Sequence, residues 1–309
     1  MKILVPNYYK KFHCIASACR HTCCVGWEID VDAAALEKYR SVGGELGARL
    51  KRSITRGKTP HFKLADGERC PFLNKDNLCD LIDLGSEDLL CQICADHPRF
   101  RNFFSCRTEV GLGLCCEEAA RLILSQNKKV ELISDGKAEL LDREETELLV
   151  LRDELFALAQ DRSIPITARE DAILRRVGAT LPARSTREWA AFYLTLERMD
   201  EAWTALLQDL DDADLTSFES EIRARETEYE QLLCYFLYRH LPTALDDGDV
   251  SDKVAFAVLS TRFLRQLGAW QYQKTGRFTC DDQIELARLY SAEIEYSQEN
   301  LDALFGELG

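Results

Sequence analysis

Cys14-Ile15-Ala16-Ser17-Ala18-Cys19-Arg20-His21-Thr22-Cys23-Cys24 places four thiols within eleven residues. Cys70, Cys79, Cys91, Cys94, Cys106, Cys115 and Cys116 follow, and only Cys234 and Cys280 lie further on. Thiols bunched in this way either staple a secreted domain or hold metal. The stretch Met1–Lys11 has no apolar run followed by a small-residue cleavage site, so no secretory leader is expected. No apolar stretch approaches the roughly 20 residues that span a bilayer. The cysteine count, 13, is odd, and the vicinal pairs Cys23-Cys24 and Cys115-Cys116 suit separate bridges poorly. A chain of 309 residues can also build a core without staples. Metal is therefore favoured over a disulfide framework, in a cytoplasmic setting and without a membrane partner.

Charge divides the chain. Residues 1–130 hold 20 Lys and Arg against 16 Asp and Glu, whereas 131–309 hold 19 against 37. The expected organisation is a Cys-rich metal-binding region over 1–130 and an acidic helical domain over 131–309. The fold class is mainly α, with an irregular Cys-rich N-terminal region preceding the helices. So acidic a surface argues against nucleic acid as a partner. The basic stretch Arg49, Lys51, Arg52, Arg56, Lys58 and Lys63 contains Gly57 and Pro60 and reads as a solvated loop.

The acidic half carries helical periodicity. Ala138 to Gln160 lacks Gly and Pro. Thr167 with Glu170 reads as a capping box, and Ser185 or Thr186 as the cap of a long helix through Trp189, Phe192, Tyr193, Leu196 and Met199. Phe218 to Arg239, Ser251 to Tyr272 and Cys280 to Tyr296 read as further helices, with Pro165, Pro182 and Pro242 between helical stretches. Nearer the N-terminus, Trp27, Ile29 and Val31 alternate with Glu28, Asp30 and Asp32 in the manner of a short strand, while Asp32 also suits the cap of a helix through Leu36 and Tyr39.

The cysteines fall into three ligand groups: Cys14, Cys19, Cys23 and Cys24; Cys70 and Cys79; and Cys91-x2-Cys94. On a helical turn, Cys19 and Cys23 would share one face. These eight are the candidate ligands. Spacing alone does not separate zinc from an iron–sulfur cluster, since both accept four thiolates. His13 and His21 read as neighbours rather than ligands, and His97 as a residue that orients a ligand. No P-loop, G-x-S-x-G, H-E-x-x-H or C-x3-C-x2-C pattern is present.

The segments Val5-Pro6-Asn7-Tyr8-Tyr9, Phe12-His13-Cys14-Ile15 and Cys19 through Asp30 resemble the opening of the bacterial flagellin lysine-N-methylases. Cys70-Pro71-Phe72-Leu73, Leu78-Cys79-Asp80-Leu81-Ile82 and Cys91 through Arg99 fit the same pattern, and also resemble the Cys-cluster domains thought to chelate zinc or iron. One departure is that Cys94 precedes His97-Pro98-Arg99 instead of following an Arg-Pro. The resemblance covers about residues 5–116. It implies methyl transfer from S-adenosylmethionine to lysine ε-amines of flagellin, and a [4Fe–4S] cluster that either binds the donor through an open iron or is purely structural. Methyl transfer needs a neutral amine, whereas lysine has a pKa near 10.4, so a base or a desolvating site is required. Tyr8, Tyr9, Glu28 and Asp30 neighbour the cysteines, but none is assigned a catalytic role. The alternatives are a non-catalytic zinc-binding adaptor of the flagellar system and a metal-storage or redox protein.

Overall fold

The Ser185 hydroxyl accepts from the Glu188 N–H while the Glu188 carboxylate accepts from the Ser185 N–H, at 3.2 and 2.7 Å. This reciprocal cap starts one helix of a mainly helical chain. The computed structural model describes residues 2–134 and 141–309. The chain forms two units. The smaller, His13–Arg99, holds α1 (Ala33–Ser41), α2 (Gly44–Ser53), α3 (Asp80–Asp83) and α4 (Gln92–Asp96) among turns and isolated bridges. The larger runs through Phe12 and again from Phe100 to Gly309. The divide therefore falls at residues 12/13 and 99/100, not at 130, because the N-terminal strand pairs with strands beyond residue 106.

The strands are β1 (Lys2–Pro6), β2 (Arg99–Phe103), β3 (Arg107–Leu112) and β4 (Leu132–Ser134), in the order β2-β3-β1-β4. β1 runs parallel to β3, with Ile3 opposite Thr108, and antiparallel to β4, with Val5 opposite Ile133. The helices of the larger unit are α5 (Glu117–Leu124), α6 (Arg143–Ala159), α7 (Ile166–Val177), α8 (Thr186–Tyr193), α9 (Glu201–Asp209), α10 (Leu215–Ile222), α11 (Thr227–His240), α12 (Ala244–Asp247), α13 (Val250–Thr275), α14 (Cys280–Ile294) and α15 (Gln298–Leu308). No described helix is long and apolar enough to cross a membrane.

Several helices end where tertiary partners dictate. The expected start at Ala138 lies outside the described residues, and α6 is capped by Asp142. Thr167 is not a cap: α7 begins at Ile166, whose N–H is taken by the Glu226 carboxylate at 2.8 Å. The helix from Ser185 stops at Tyr193 instead of reaching Met199, because Asn300 accepts from Glu197 N–H and Glu293 from Met199 and Asp200 N–H. Met199 is exposed, while Trp189 and Tyr193 are core. Phe218 to Arg239 is two helices, broken by a 3-10 turn at Arg223–Arg225. Trp27 to Val31 is no strand, although the alternation holds: Ile29 and Val31 are buried, Glu28 and Asp30 exposed.

The core of the larger unit centres on α11 and α13. Tyr193, Trp203, Phe263 and Tyr290 pack edge-on or tilted, with centroids 4.5–6.4 Å apart. Buried carboxylates pair with guanidiniums: Glu170 with Arg265, Glu230 with Arg169, Glu109 with Arg152. Glu228 is different. Burial pushes its carboxyl up to about 7 against the pull of Arg225. A pKa raised on folding adds stability at acid pH that is lost as pH climbs from about 4.5 to 7. Glu228→Gln should therefore match wild type at pH 4 and exceed it at pH 8 by on the order of 2–3 kcal/mol. Thermal melts at the two pH values check this, and an equal offset at both would contradict it.

Candidate metal centre

The Cys24–Gly26 segment lies against Glu68–Cys70: Cys70 N–H donates to the Cys24 carbonyl at 2.8 Å and Gly26 N–H to that of Glu68 at 3.1 Å. Gly26 has φ +91°, a conformation side chains rarely adopt, and it turns the chain two residues after Cys24. A second turn, organised by Asn74, brings Leu73 opposite Cys79, with Asp80 N–H donating to the Phe72 carbonyl at 2.8 Å. Cys91 and Cys94 flank the first turn of α4 with their sulfurs 3.4 Å apart. Asp32 joins this turn to α1, its carboxylate accepting from Ala35 N–H at 2.9 Å and Gln92 N–H at 2.7 Å. Those bonds hold its pKa below the usual carboxylate range.

The result is one group of five thiols, Cys24, Cys70, Cys79, Cys91 and Cys94, on a core that includes Phe62 and Phe72. Burial pushes Cys70 up to about 12, and the thiolates of Cys24, Cys79 and Cys91 add to the rise. Cys79 is raised by burial, with Cys24 contributing. Cys94 is raised by its hydrogen bond with Cys91, by burial, and by the Cys91, Cys24 and Cys70 charges, and Cys91 is lowered by the same bond. Cys24 is brought down to about 7 by Cys23, with help from Thr22 and Arg69 against burial. Such a donor set suits a cation, which would favour the thiolate forms that burial disfavours. The Cys91–Cys94 spacing is close to the roughly 3.8 Å between two sulfurs that each lie about 2.3 Å from one tetrahedral zinc. None of the thirteen cysteines is in a disulfide, and all of them lie within the described residues. Among the described residues, no three His, Cys, Asp or Glu side chains are gathered tightly enough to hold an ion in this conformation.

The other expected ligands lie at the margin. Cys23 is exposed and hydrogen-bonded to Cys24. Cys14 is exposed and accepts from Ala16 N–H at 3.4 Å, and the Cys19 thiol donates to the His21 carbonyl at 3.1 Å. Cys19 and Cys23 do not share a helical turn, since the 3-10 helix ends at Ala18. His13 and His21 are exposed. His97 is half-buried beside Trp27, ring centroids 6.4 Å apart, and burial and Arg99 lower it to about 4. Of the residues weighed as a base, Tyr8 is buried in the larger unit and its phenol is pushed up by burial, while Glu28 is exposed 3.6 Å from His61. Cys106, Cys115, Cys116, Cys234 and Cys280 all belong to the larger unit.

The basic stretch is not wholly a loop: Arg49, Lys51 and Arg52 lie on α2. Arg49 bonds the Asp80 carboxylate and the Pro71 carbonyl, and Asn74 Nδ2 donates to Asp80 at 3.0 Å. This lock ties Cys70-Pro71 to Cys79-Asp80. The sequence signal for it was an acid directly after Cys79.

Residues 112–309, more than half of the chain, match the FliB lysine N-methylase C-terminal domain. The chain belongs to the FliB lysine N-methylase family. The family match starts beyond the thiol group and lies wholly in the larger unit. Among curated proteins, the lysine-N-methylase of Salmonella typhimurium is 28% identical over 128 residues, 39% of this chain and 32% of that protein. The flagellar biosynthetic protein FliU of Salmonella muenchen is 27% identical over 128 residues, 39% of this chain and 75% of that protein. The aligned part thus spans about a third of the length of the lysine-N-methylase. No solved structure matches the chain.

Arg49→Ala should leave Asp80 without its cation and destabilise this FliB-family chain by about 1–3 kcal/mol. Alkylation followed by mass spectrometry should find Cys70 and Cys79 labelled faster and Cys234 at the wild-type rate; unchanged Cys70 and Cys79 rates would disprove the lock.

Proposed function

We propose that the chain is a protein-lysine N-methyltransferase that moves a methyl group from S-adenosylmethionine to lysine ε-amines of flagellin in the cytoplasm. The observation that carries this reading is the family match over residues 112–309. The lysine-N-methylase and FliU names of the relatives support the activity and the flagellar setting. In the reaction, the amine lone pair forms the N–C bond, the S–C bond breaks with its electron pair going to sulfur, and the sulfonium becomes a thioether. The methylated ammonium then releases its proton to solvent or to a base. Only about one lysine in a thousand or fewer is neutral at pH 7, so an enzyme must desolvate the amine or offer it a base.

We further propose that thiols of the group Cys24, Cys70, Cys79, Cys91 and Cys94 hold a [4Fe–4S] cluster, with Cys14, Cys19 and Cys23 at its margin. When bound, it supplies folding free energy to a unit whose apolar core counts eleven buried residues. The second reading is a zinc-binding adaptor without catalysis, favoured by the Cys91–Cys94 spacing.

Anaerobically purified protein should contain iron and acid-labile sulfide in equal amounts and transfer labelled methyl groups to flagellin. Stoichiometric zinc without sulfide, together with flagellin binding but no transfer, would replace the first reading by the second. Cys79→Ser and Cys91→Ser should lose metal, while Cys234→Ser and Cys280→Ser keep it; full metal content in the first pair would break the assignment.

A further inference from the structure

All four tryptophans have partners in their own units. Trp189 and Trp203 are core, and Trp27 Nε1 donates to the Cys23 carbonyl. Trp270, on α13, is half-buried and lines a cleft of about 580 Å³ in the larger unit. Ala190 and Ala191 of α8 line the same cleft, and Leu194 and Leu207 add to its apolar lining. The volume lies within the roughly 300–1,000 Å³ typical of small-molecule sites. It is well beyond what one lysine side chain fills.

The polar groups at the rim come as two exposed pairs. Asp209 holds Lys274, and Asp211 holds Arg187 at 2.5 Å, with all four side chains 42–70% exposed. Pairs this exposed contribute ~0–1 kcal/mol each, so a ligand carrying its own charges can exchange with them at little cost. Trp270 Nε1 donates to Asp209 at 3.3 Å, and the Lys274 ammonium lies 5.2 Å from the Trp270 ring centroid. The corner made by Trp270 and Asp209 therefore already accommodates a cation on an aromatic face beside a carboxylate.

We infer that this cleft binds the methyl donor, a zwitterionic sulfonium nucleoside, and so locates the donor that the methyltransferase reading requires. Trp270 supplies a face for the base or the sulfonium. Asp209 and Asp211 receive the ribose hydroxyls or the amino group, and Arg187 or Lys274 receives the carboxylate. Ala190, Ala191 and Leu194 line the apolar floor.

The test is calorimetric titration of the 309-residue chain with S-adenosylhomocysteine, the thioether product. Trp270→Ala and Ala191→Trp, which fills the cleft from an exposed helical position, should weaken binding tenfold or more. Trp270→Phe should stay within about threefold, as should Glu154→Ala in the separate cleft beside Arg176. Circular dichroism checks that each variant is folded. If wild type binds and Trp270→Ala and Ala191→Trp bind equally well, the cleft is not the donor site, while methyl transfer to flagellin still stands. If wild type neither binds the nucleoside nor transfers methyl groups, the activity reading fails as well. If the variants change only the KM for flagellin, the cleft takes the acceptor and the inference is overturned.

Discussion

A charge removed from water must meet an opposite charge, and this constraint organises both units. In the helical unit Glu109, Glu170 and Glu230 have no exposed surface, and each is met by arginine reaching from another element. Those pairs fix α6 against β3, α7 against α13 and α7 against α11. Breaking one by removing a single partner typically costs ~3–5 kcal/mol, because the remaining charge stays buried. Glu295 is held by both Arg239 and His240, which together keep it ionised despite full burial. The small unit faces the same constraint with thiols instead of carboxylates. Burial pushes Cys70 and Cys79 up, and the hydrogen bond with Cys91 together with burial pushes Cys94 up, with no buried arginine among them comparable to Arg152 or Arg265.

What the sequence made legible was local. Ser185 and Glu188 form a cap from residues three apart, and the Cys91-x2-Cys94 spacing seats two sulfurs on one helical turn. Asp32 was readable as a cap for the same reason, but its second bond, to Gln92 sixty residues away, was not. The early end of α8 depends on Glu293 and Asn300, about a hundred residues distant. β1 is a five-residue segment that becomes a strand through pairing with residues 107–109 and 132–134. The grouping of Cys70, Cys79, Cys91 and Cys94 followed from motifs. The marginal position of Cys14 and Cys19 did not, because an exposed loop carries no periodic signal.

The family match and the thiol group fall on different units, which separates two kinds of inference. Membership rests on residues 112–309. The proposed metal chemistry rests on the arrangement in His13–Arg99, where turns at Gly26 and Asn74 and the Arg49–Asp80 lock converge. Each turn holds a cysteine against its partner through backbone hydrogen bonds, so the sulfur positions are inherited from the main chain.

β1 is an inner strand of the sheet, and its parallel partner begins more than a hundred residues later in the chain. During vectorial synthesis, β1 must therefore wait while the whole Cys-rich unit is made. That unit is closed within His13–Arg99 and has its own core, so it can condense first. The order of emergence favours a sequence in which the thiols are already gathered before the helices that follow have a sheet to pack against.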